Sequence, residues 1–225
     1  MLQLREKQIF ATLTGLGSRE FVIIGGYAVN AYTLPRFSVD CDIVVKNEFE
    51  AKKIGAELSD MDYNKVSNNF GVPYDGNFDR FEKKIAEGFI VSMDVLIGGV
   101  LDRQTNTVFS SAWIFNNSSK KTLRGKTIAE KLESRIIDID ALFVMKMISC
   151  RSTDIRDLFM LAPALKNKKW IIQEVSKRYD LVSRHSKIKQ KVESKQFRDG
   201  LQGVYGRIDN ELFEKHKKAL LSVND

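Results

Sequence analysis

The chain has 225 residues, of which 43% are hydrophobic, and this apolar content supports a folded core and excludes a disordered chain. It lacks both an apolar run of about eighteen residues and a signal-peptide pattern, so we expect a cytoplasmic protein without a membrane span. Its two cysteines and two histidines have no zinc-site or disulfide spacing.

The net charge of +7 is unevenly distributed along the chain. Residues 1–162 carry 21 Lys+Arg and 21 Asp+Glu, whereas residues 163–225 carry 15 and 8, a difference of +7. This asymmetry favours an anionic partner for the C-terminal region. A set of solvated helices is the alternative explanation.

The first predicted elements are a helix, a strand, a short helix and a second strand. The patterns that predict them cover residues 2–16, 21–24, 27–34 and 40–45. Gly25-Gly26 ends the first strand, and Pro35 stops the short helix. Side chains alternate along a strand, so Asp40 and Asp42 share one face. Paired carboxylates repel each other, and their hard oxygen atoms suit Mg²⁺ or Mn²⁺.

The middle of the chain predicts a loop, a long strand and a basic turn. Residues 67–81 are rich in Asn, Gly, Pro and Asp and predict a loop, whose aromatic side chains either stack on a base or pack on the core. Residues 85–97 predict a strand that carries Asp94. Residues 120–126 form a basic, turn-like stretch, and residues 128–137 predict a short strand at their end.

The last third of the sequence is predicted to be helical. A buried helix over residues 140–149 carries Lys146, and a second helix over 154–161 carries Asp154 and Asp157. A later helix over residues 184–201 is predicted to present a basic face. That face comprises Arg184, Lys187, Lys191, Lys195 and Arg198, spaced three or four residues apart.

Two motifs resemble known nucleotidyltransferases. Gly25-Gly26, thirteen residues and then Asp40-x-Asp42 resembles the signature of the DNA polymerase β-type nucleotidyltransferase superfamily. The sequence Arg36-x-Ser38 before those acids is similar to the motif of the AbiEii-like group, which usually has Thr at the Ser38 position. That group includes abortive-infection and toxin–antitoxin toxins, and the resemblance implies a third acid, for which Asp94 is the candidate.

A second cluster extends this resemblance. Lys146 on a helix, followed by Asp154-x-x-Asp157, is similar to an AbiEii-like motif in which a Lys and an acid are implicated in activity. Thr153 stands where that family usually has Lys, which leaves one contact in doubt. A structural ion pair between Lys146 and Asp154 or Asp157 is the open alternative.

The resemblance implies an α+β nucleotidyltransferase fold with a mixed β-sheet flanked by helices, followed by a C-terminal helical region. It implies two domains, a catalytic domain over residues 1–150 and a basic helical domain over 151–225. The implied catalytic residues are Asp40, Asp42, Asp94, Lys146 and Asp154. The implied nucleotide-binding residues are Gly25, Gly26, Arg36, Ser38 and Lys146.

The implied activity is transfer of a nucleoside monophosphate from a nucleoside triphosphate to an acceptor, with release of pyrophosphate. Asp40, Asp42 and Asp94 would hold Mg²⁺ or Mn²⁺, and Asp94 would help to deprotonate the acceptor. RNA, and tRNA in particular, is the first acceptor expected, in a toxin with an antitoxin protein as partner. Two alternatives stay open: a small-molecule, antibiotic-type nucleotidyltransferase, and a catalytically silent module that binds RNA or protein.

Overall fold

The computed structural model describes residues 1–66, 77–206 and 208–223. The chain divides into two compact units. The first comprises Met1–Ala31, Pro35–Leu101 and Val108–Ile137, and the second comprises Tyr32–Leu34, Asp102–Thr107 and Asp138–Asp225.

A mixed sheet forms the centre of the first unit. The strands in the described ranges are β1 (Val22–Ile23), β2 (Asp40–Val45), β3 (Asn64–Val66), β4 (Phe78–Ala86), β5 (Phe89–Ile97), β6 (Gly99–Asp102), β7 (Thr107–Ser110), β8 (Ser118–Arg124) and β9 (Lys131–Ile137). Seven of them form one sheet in the order β3-β4-β5-β2-β1-β9-β8, and β6 pairs with β7 separately. The pairs β2–β5 and β1–β9 are parallel, and the other pairs in the large sheet are antiparallel.

Helices of the first unit flank this sheet. They are α1 (Leu2–Gly15), α2 (Gly25–Val29), α3 (Glu48–Asp60) and α4 (Ser111–Asn116). α1 contacts β5, and α3 contacts both β2 and β5. The apolar side chains of Ile9, Leu13, Ile54 and Leu58 are buried because they lie at helical spacing on one side of each helix. α3 begins at a favourable position, since the Asn47 side chain accepts a hydrogen bond from the Glu50 backbone N–H.

The second unit is mostly helical. Its helices are α5 (Ile139–Ser149), α6 (Ser152–Leu161), α7 (Lys168–Ser176), α8 (Leu181–Val192), α9 (Lys195–Tyr205) and α10 (Asn210–Leu221). α5 is buried almost all round, as its continuous apolar sequence predicts. Of the helices in the described ranges, none has the length and apolar character that a membrane crossing requires.

The predicted α+β architecture, a mixed sheet with flanking helices and a helical C-terminal region, is confirmed. Apart from the short segments Tyr32–Leu34 and Asp102–Thr107, the boundary between the two compact units lies between Ile137 and Asp138. The functional domains over residues 1–150 and 151–225 stay a prediction.

Several local predictions are wrong. The predicted loop over 67–81 extends too far, because β4 already begins at Phe78, while residues 67–76, with Phe70 and Tyr74, lie outside the described residues. The predicted strand over 85–97 is interrupted by a turn at Glu87-Gly88, where Gly88 has a φ of +65°. The basic stretch over 120–126 is not a turn, since most of it belongs to β8.

The predicted basic helix face over 184–201 is also wrong. The segment forms two helices, α8 and α9, separated at Glu193 and Ser194. Arg184 is buried, with its guanidinium 4.0 Å from the centroid of the Tyr179 ring. Arg198 is half-buried and donates a hydrogen bond to the backbone oxygen of Ile208. The regular spacing therefore does not produce a single exposed basic stripe.

Candidate active site

The glycine turn packs directly against the first strand of acids. Gly25 follows β1 and has a φ of +64°, a left-handed conformation that favours glycine. A Cβ atom at Gly25 would overlap Oδ2 of Asp42. The backbone N–H of Ile24 donates a 3.0 Å hydrogen bond to the backbone oxygen of Asp42. Both the conformation and the close approach therefore require glycine at this position.

The second glycine lies against the segment that precedes β2. A Cβ atom at Gly26 would overlap the Ser38 hydroxyl oxygen and would lie 3.2 Å from Nη1 of Arg36. The Arg36 backbone is held by Asn30, whose Oδ1 accepts from the Arg36 N–H at 3.0 Å and whose Nδ2 donates to the Arg36 oxygen at 2.9 Å. Arg36 Nη1 donates to the Phe37 oxygen at 3.0 Å. The structure thus places Gly26, Arg36 and Ser38 together.

The three predicted acids lie on one face of two neighbouring parallel strands. Asp42 on β2 is directly opposite Asp94 on β5, and Asp40 is directly opposite Ser92. The Ser92 hydroxyl donates a hydrogen bond to Oδ1 of Asp40. Cys41, which points the other way, is fully buried. The alternation that the sequence predicts for this strand is therefore present.

An arginine on the next strand binds two of these acids. Arg80 on β4 is directly opposite Asp94, and Glu82 is opposite Ser92. Nη2 of Arg80 lies 2.6 Å from Oδ1 of Asp40, and its Nε lies 3.2 Å from Oδ1 of Asp94 and 3.7 Å from Oε1 of Glu82. Within the described residues, Nε of Arg80 and Oδ1 of Asp94 are buried without a hydrogen-bond partner, so their contact is an ion pair without hydrogen-bond geometry.

The electrostatics of the site centre on Asp94. Burial raises the pKa of Asp94 to about 6, and the carboxylates of Asp40 and Glu82 act in the same direction, whereas Arg80 lowers it. The Asp94 side chain is only 17% exposed. A carboxylate in such a place requires a positive charge beside it to stay ionised. Strongly perturbed carboxylates of this kind are concentrated at functional sites, although structural ion pairs also produce them.

The chemistry of these side chains suits a hard divalent cation. Carboxylate oxygens from adjacent strands are the ligands that Mg²⁺ and Mn²⁺ prefer, and Oδ1 of Asp94, which accepts no hydrogen bond, could bind such an ion once Arg80 moved away. The described ranges contain no group of three His, Cys, Asp or Glu side chains already drawn together around a metal position. Arg80 provides the compensating positive charge instead, and it would have to give way to a metal bound by Asp40 and Asp94.

The other predicted catalytic residues form a separate cluster in the second unit. Nζ of Lys146 lies 2.7 Å from Asp157 and 3.1 Å from Asp154, and the lysine is 7% exposed. Ser149 donates to Asp154 at 2.8 Å, and the Tyr205 hydroxyl donates to Asp157 at 3.3 Å. The structural pairing of Lys146 with these acids is confirmed. A catalytic role for Lys146 and Asp154 stays a prediction.

Three polar residues of the sheet face were missed by sequence reasoning: Arg80, Glu82 and Ser92. Arg80 and Glu82 lie at alternate positions of β4, in a segment whose Asn- and Gly-rich beginning predicts a loop. Their two-residue spacing is the pattern that indicates a strand with both side chains on one face. Ser92 stands two residues before Asp94, so strand alternation places both on one face.

Comparison with known proteins adds little to this geometry. No protein-family model matches the chain, and no curated protein matches it. Among solved structures, the chain is similar to one described as "Crystal structure of putative nucleotidyltransferase from H. pylori", with 15% identity and a TM-score of 0.49. That similarity covers 99% of this chain and 92% of the other.

Proposed function

We propose that this protein is a metal-dependent nucleotidyltransferase whose nucleotide site lies on the sheet face of the first unit. One observation carries the proposal: Asp42 lies directly opposite Asp94 and also contacts the Gly25 turn. A glycine turn without side chains and a pair of neighbouring carboxylates are together what a metal-bound triphosphate requires.

In this proposal, Asp40, Asp42 and Asp94 hold Mg²⁺ or Mn²⁺. The bound ions would polarise the attacked phosphate and stabilise its developing charge. Gly25 and Gly26 allow the side chains of Asp42 and Ser38 to lie directly against the backbone of the turn, so a metal-bound phosphate at these side chains would also lie beside it. The guanidinium of Arg36 and the hydroxyl of Ser38, which lie against Gly26, would bind the phosphate oxygens.

The proposed reaction joins a hydroxyl oxygen of the acceptor to the α-phosphorus of the triphosphate. The bond between that phosphorus and the bridging oxygen breaks, pyrophosphate leaves, and the hydroxyl proton is released to water. Binding both reactants in line is the main contribution that we assign to the protein.

RNA is the acceptor that we propose, with tRNA as the first candidate. Its test is incubation of the protein with each labelled nucleoside triphosphate, Mg²⁺ and total RNA, followed by gel electrophoresis. We expect label in RNA with the wild type and none with Asp40→Ala. Asp62→Asn is the control, since Asp62 has a φ of +65°, which Asn tolerates, and its side chain is 86% exposed. Absence of label with all four triphosphates would contradict an RNA acceptor.

The narrower assignment to AbiEii-like toxins rests on the Arg36-x-Ser38-x-Asp40-x-Asp42 sequence and on Lys146 followed by Asp154-x-x-Asp157. It predicts growth arrest when the chain is expressed, relief of that arrest by Asp40→Ala, and protection by an antitoxin protein. Unchanged growth on expression of the wild type would argue against a toxin.

A catalytically silent RNA-binding module is the second candidate, and the ion pairs of Arg80 favour it. A permanent Arg80 contact with Asp40 and Asp94 would exclude a metal from these carboxylates. The two candidates differ in whether Mn²⁺ binds to the wild type, which the wild-type arm of the denaturation assay in the Discussion measures.

A further inference from the structure

The hairpin of β8 and β9 presents a cluster of positive charge in the first unit. The two strands pair over their whole length, from Ser118 opposite Ile137 to Arg124 opposite Lys131. On one face, alternate positions of both strands carry exposed basic side chains. We call this the basic hairpin face; its residues are Lys120, Arg124, Lys131 and Arg135.

These charges are arranged at an energetic cost. Lys120 is directly opposite Arg135, and Arg124 is directly opposite Lys131, so both pairs bring like charges together. Glu133 is the acid on the same face, and it accepts a hydrogen bond from the Thr122 hydroxyl. The face therefore has four cations and one carboxylate, a net charge of +3. Among the residues that the structure describes, no carboxylate forms an ion pair with Lys120, Arg124 or Lys131.

Protection of a sheet edge accounts for only part of this arrangement. β8 is an edge strand, and lysines on an edge prevent pairing with other chains. β9, however, lies between β1 and β8, and it pairs with β1 at Ile136, next to Arg135. Arg135 therefore does not guard an open edge. Its guanidinium donates hydrogen bonds to the Phe115 backbone oxygen and the Ser118 hydroxyl at 3.3 and 3.4 Å. A polyanion would offset the repulsion that the like-charged pairs add.

The face begins next to the candidate active site. The turn that joins β8 to β9 is held by Glu6, which accepts hydrogen bonds of 2.7 Å from the backbone N–H groups of Lys126 and Thr127. Nζ of Lys126 lies 5.0 Å from the centroid of the Phe37 ring. Phe37 stands between Arg36 and Ser38, the residues that contact Gly26. Away from the turn, the Arg124–Lys131 pair comes first and the Lys120–Arg135 pair follows. The two pairs are about 13 Å apart along the strands, at roughly 3.3 Å per residue.

We propose that the basic hairpin face binds the sugar–phosphate backbone of RNA. The role of that RNA as acceptor rests on the proposed nucleotidyltransferase activity, but the binding itself does not. The charge complementarity of a net +3 face with consecutive phosphates supports RNA as the occupant. The C-terminal residues expected to form a basic stripe do not compete for this role as a single surface, because Arg184 is buried and Arg198 is half-buried.

The test measures binding of a labelled, mixed-sequence, single-stranded RNA to the full chain by fluorescence anisotropy. EDTA is present and nucleotide is absent, so metal binding and transfer cannot contribute. The test variant is Lys120→Gln/Arg124→Gln/Lys131→Gln. The control is Lys187→Gln/Lys189→Gln/Lys191→Gln on α8, which removes the same number of charges. Asp42→Asn is the third variant.

The hairpin variant should weaken RNA binding about 100-fold at ~0.1 M salt and reduce the slope of log K against log salt by about 2, since each phosphate contact on a single strand contributes ~0.7. The α8 control should stay within a few-fold of the wild type. Equal losses in both variants, an unchanged hairpin variant or a wild type that does not bind RNA would overturn the proposal. Hairpin-dependent binding to phosphatidylserine vesicles without RNA binding would also overturn it.

Two further measurements keep the result interpretable. The hairpin variant should melt no earlier than the wild type, because it removes like-charge pairs. If it misfolds, the double variant Lys120→Gln/Lys131→Gln replaces it, with an expected loss of about 25-fold at ~0.1 M salt. Asp42→Asn should bind RNA as the wild type does in EDTA. Failure of the nucleotidyltransferase proposal would therefore appear in nucleotide binding and leave the RNA measurement unaffected.

Discussion

Replacing Arg80 with Met should destabilise the metal-free protein and make Mn²⁺ more stabilising. Arg80 lies 2.6 Å from Asp40 and 3.2 Å from Asp94, and Met keeps much of its length without the charge. Breaking a buried ion pair costs about 3–5 kcal/mol. Because the three side chains are 17–35% exposed, solvent screening reduces the expected cost to about 1–3 kcal/mol.

Mn²⁺ should recover most of that loss. Arg80 competes with a cation for the same carboxylates, so its removal should raise metal affinity. A ligand at about 100 times its Kd stabilises the folded state by about 2.7 kcal/mol, which is comparable with the loss. The assay is urea denaturation of wild type and Arg80→Met in EDTA and in excess Mn²⁺.

Arg19→Met is the matched control for this experiment. Arg19 pairs with Glu57 at 2.5 Å and is 32% exposed, so its loss should also destabilise the chain. Since this pair is not part of the candidate site, Mn²⁺ should not recover that loss. Equal effects of Mn²⁺ on wild type, Arg80→Met and Arg19→Met would refute the competition between Arg80 and a metal.

Three further predictions concern single residues. Gly25→Ala should destabilise the protein by about 1–3 kcal/mol and weaken nucleotide binding, because its Cβ overlaps Asp42, whereas Gly200→Ala in α9 should be neutral or stabilising in the same denaturation assay. Lys146→Met should cost about 3–5 kcal/mol, measured by denaturation, because two buried carboxylates lose their cation; a small change would show that those acids are readily hydrated or protonated. Burial lowers the pKa of His216 in the folded protein from the ordinary histidine value of 6.5. Near and below pH 6.5 the unfolded chain therefore binds more protons than the folded protein, and the free energy of unfolding should fall as pH decreases from 7 to 5. His216→Gln should flatten that decrease, and an unchanged pH profile would contradict the assignment to His216.

The acids and glycines of the site could be predicted from the sequence because strand alternation and close packing act locally. Asp40 and Asp42 share a face whenever residues 40–45 form a strand, and a Gly-Gly pair at the end of a strand is typical of a turn with a left-handed residue, such as Gly25. Pairing of Asp42 with Asp94 is different, because it depends on the register between two strands separated by about fifty residues. The sequence indicated both strands, and only the structure shows their register.

The surface charges could not be placed from the sequence for related reasons. Lys120 to Lys126 has the composition of a turn, and its pairing with β9 makes it a strand. Residues 184–198 have helical charge spacing, but Ile188 and Val192 turn toward the core of the second unit and Arg184 is buried with them. Tertiary packing decided both cases, and a local pattern contains no information about it.

The central claim is that Asp42 and its neighbouring carboxylates bind a metal–triphosphate complex beside the glycine turn. Isothermal titration of a nucleoside triphosphate with Mn²⁺ into wild type, Asp42→Asn and the surface control Asp62→Asn tests it directly. We predict saturable, metal-dependent binding to the wild type and to Asp62→Asn, and its loss in Asp42→Asn. Equal binding to all three proteins, or no binding to the wild type, would contradict the claim.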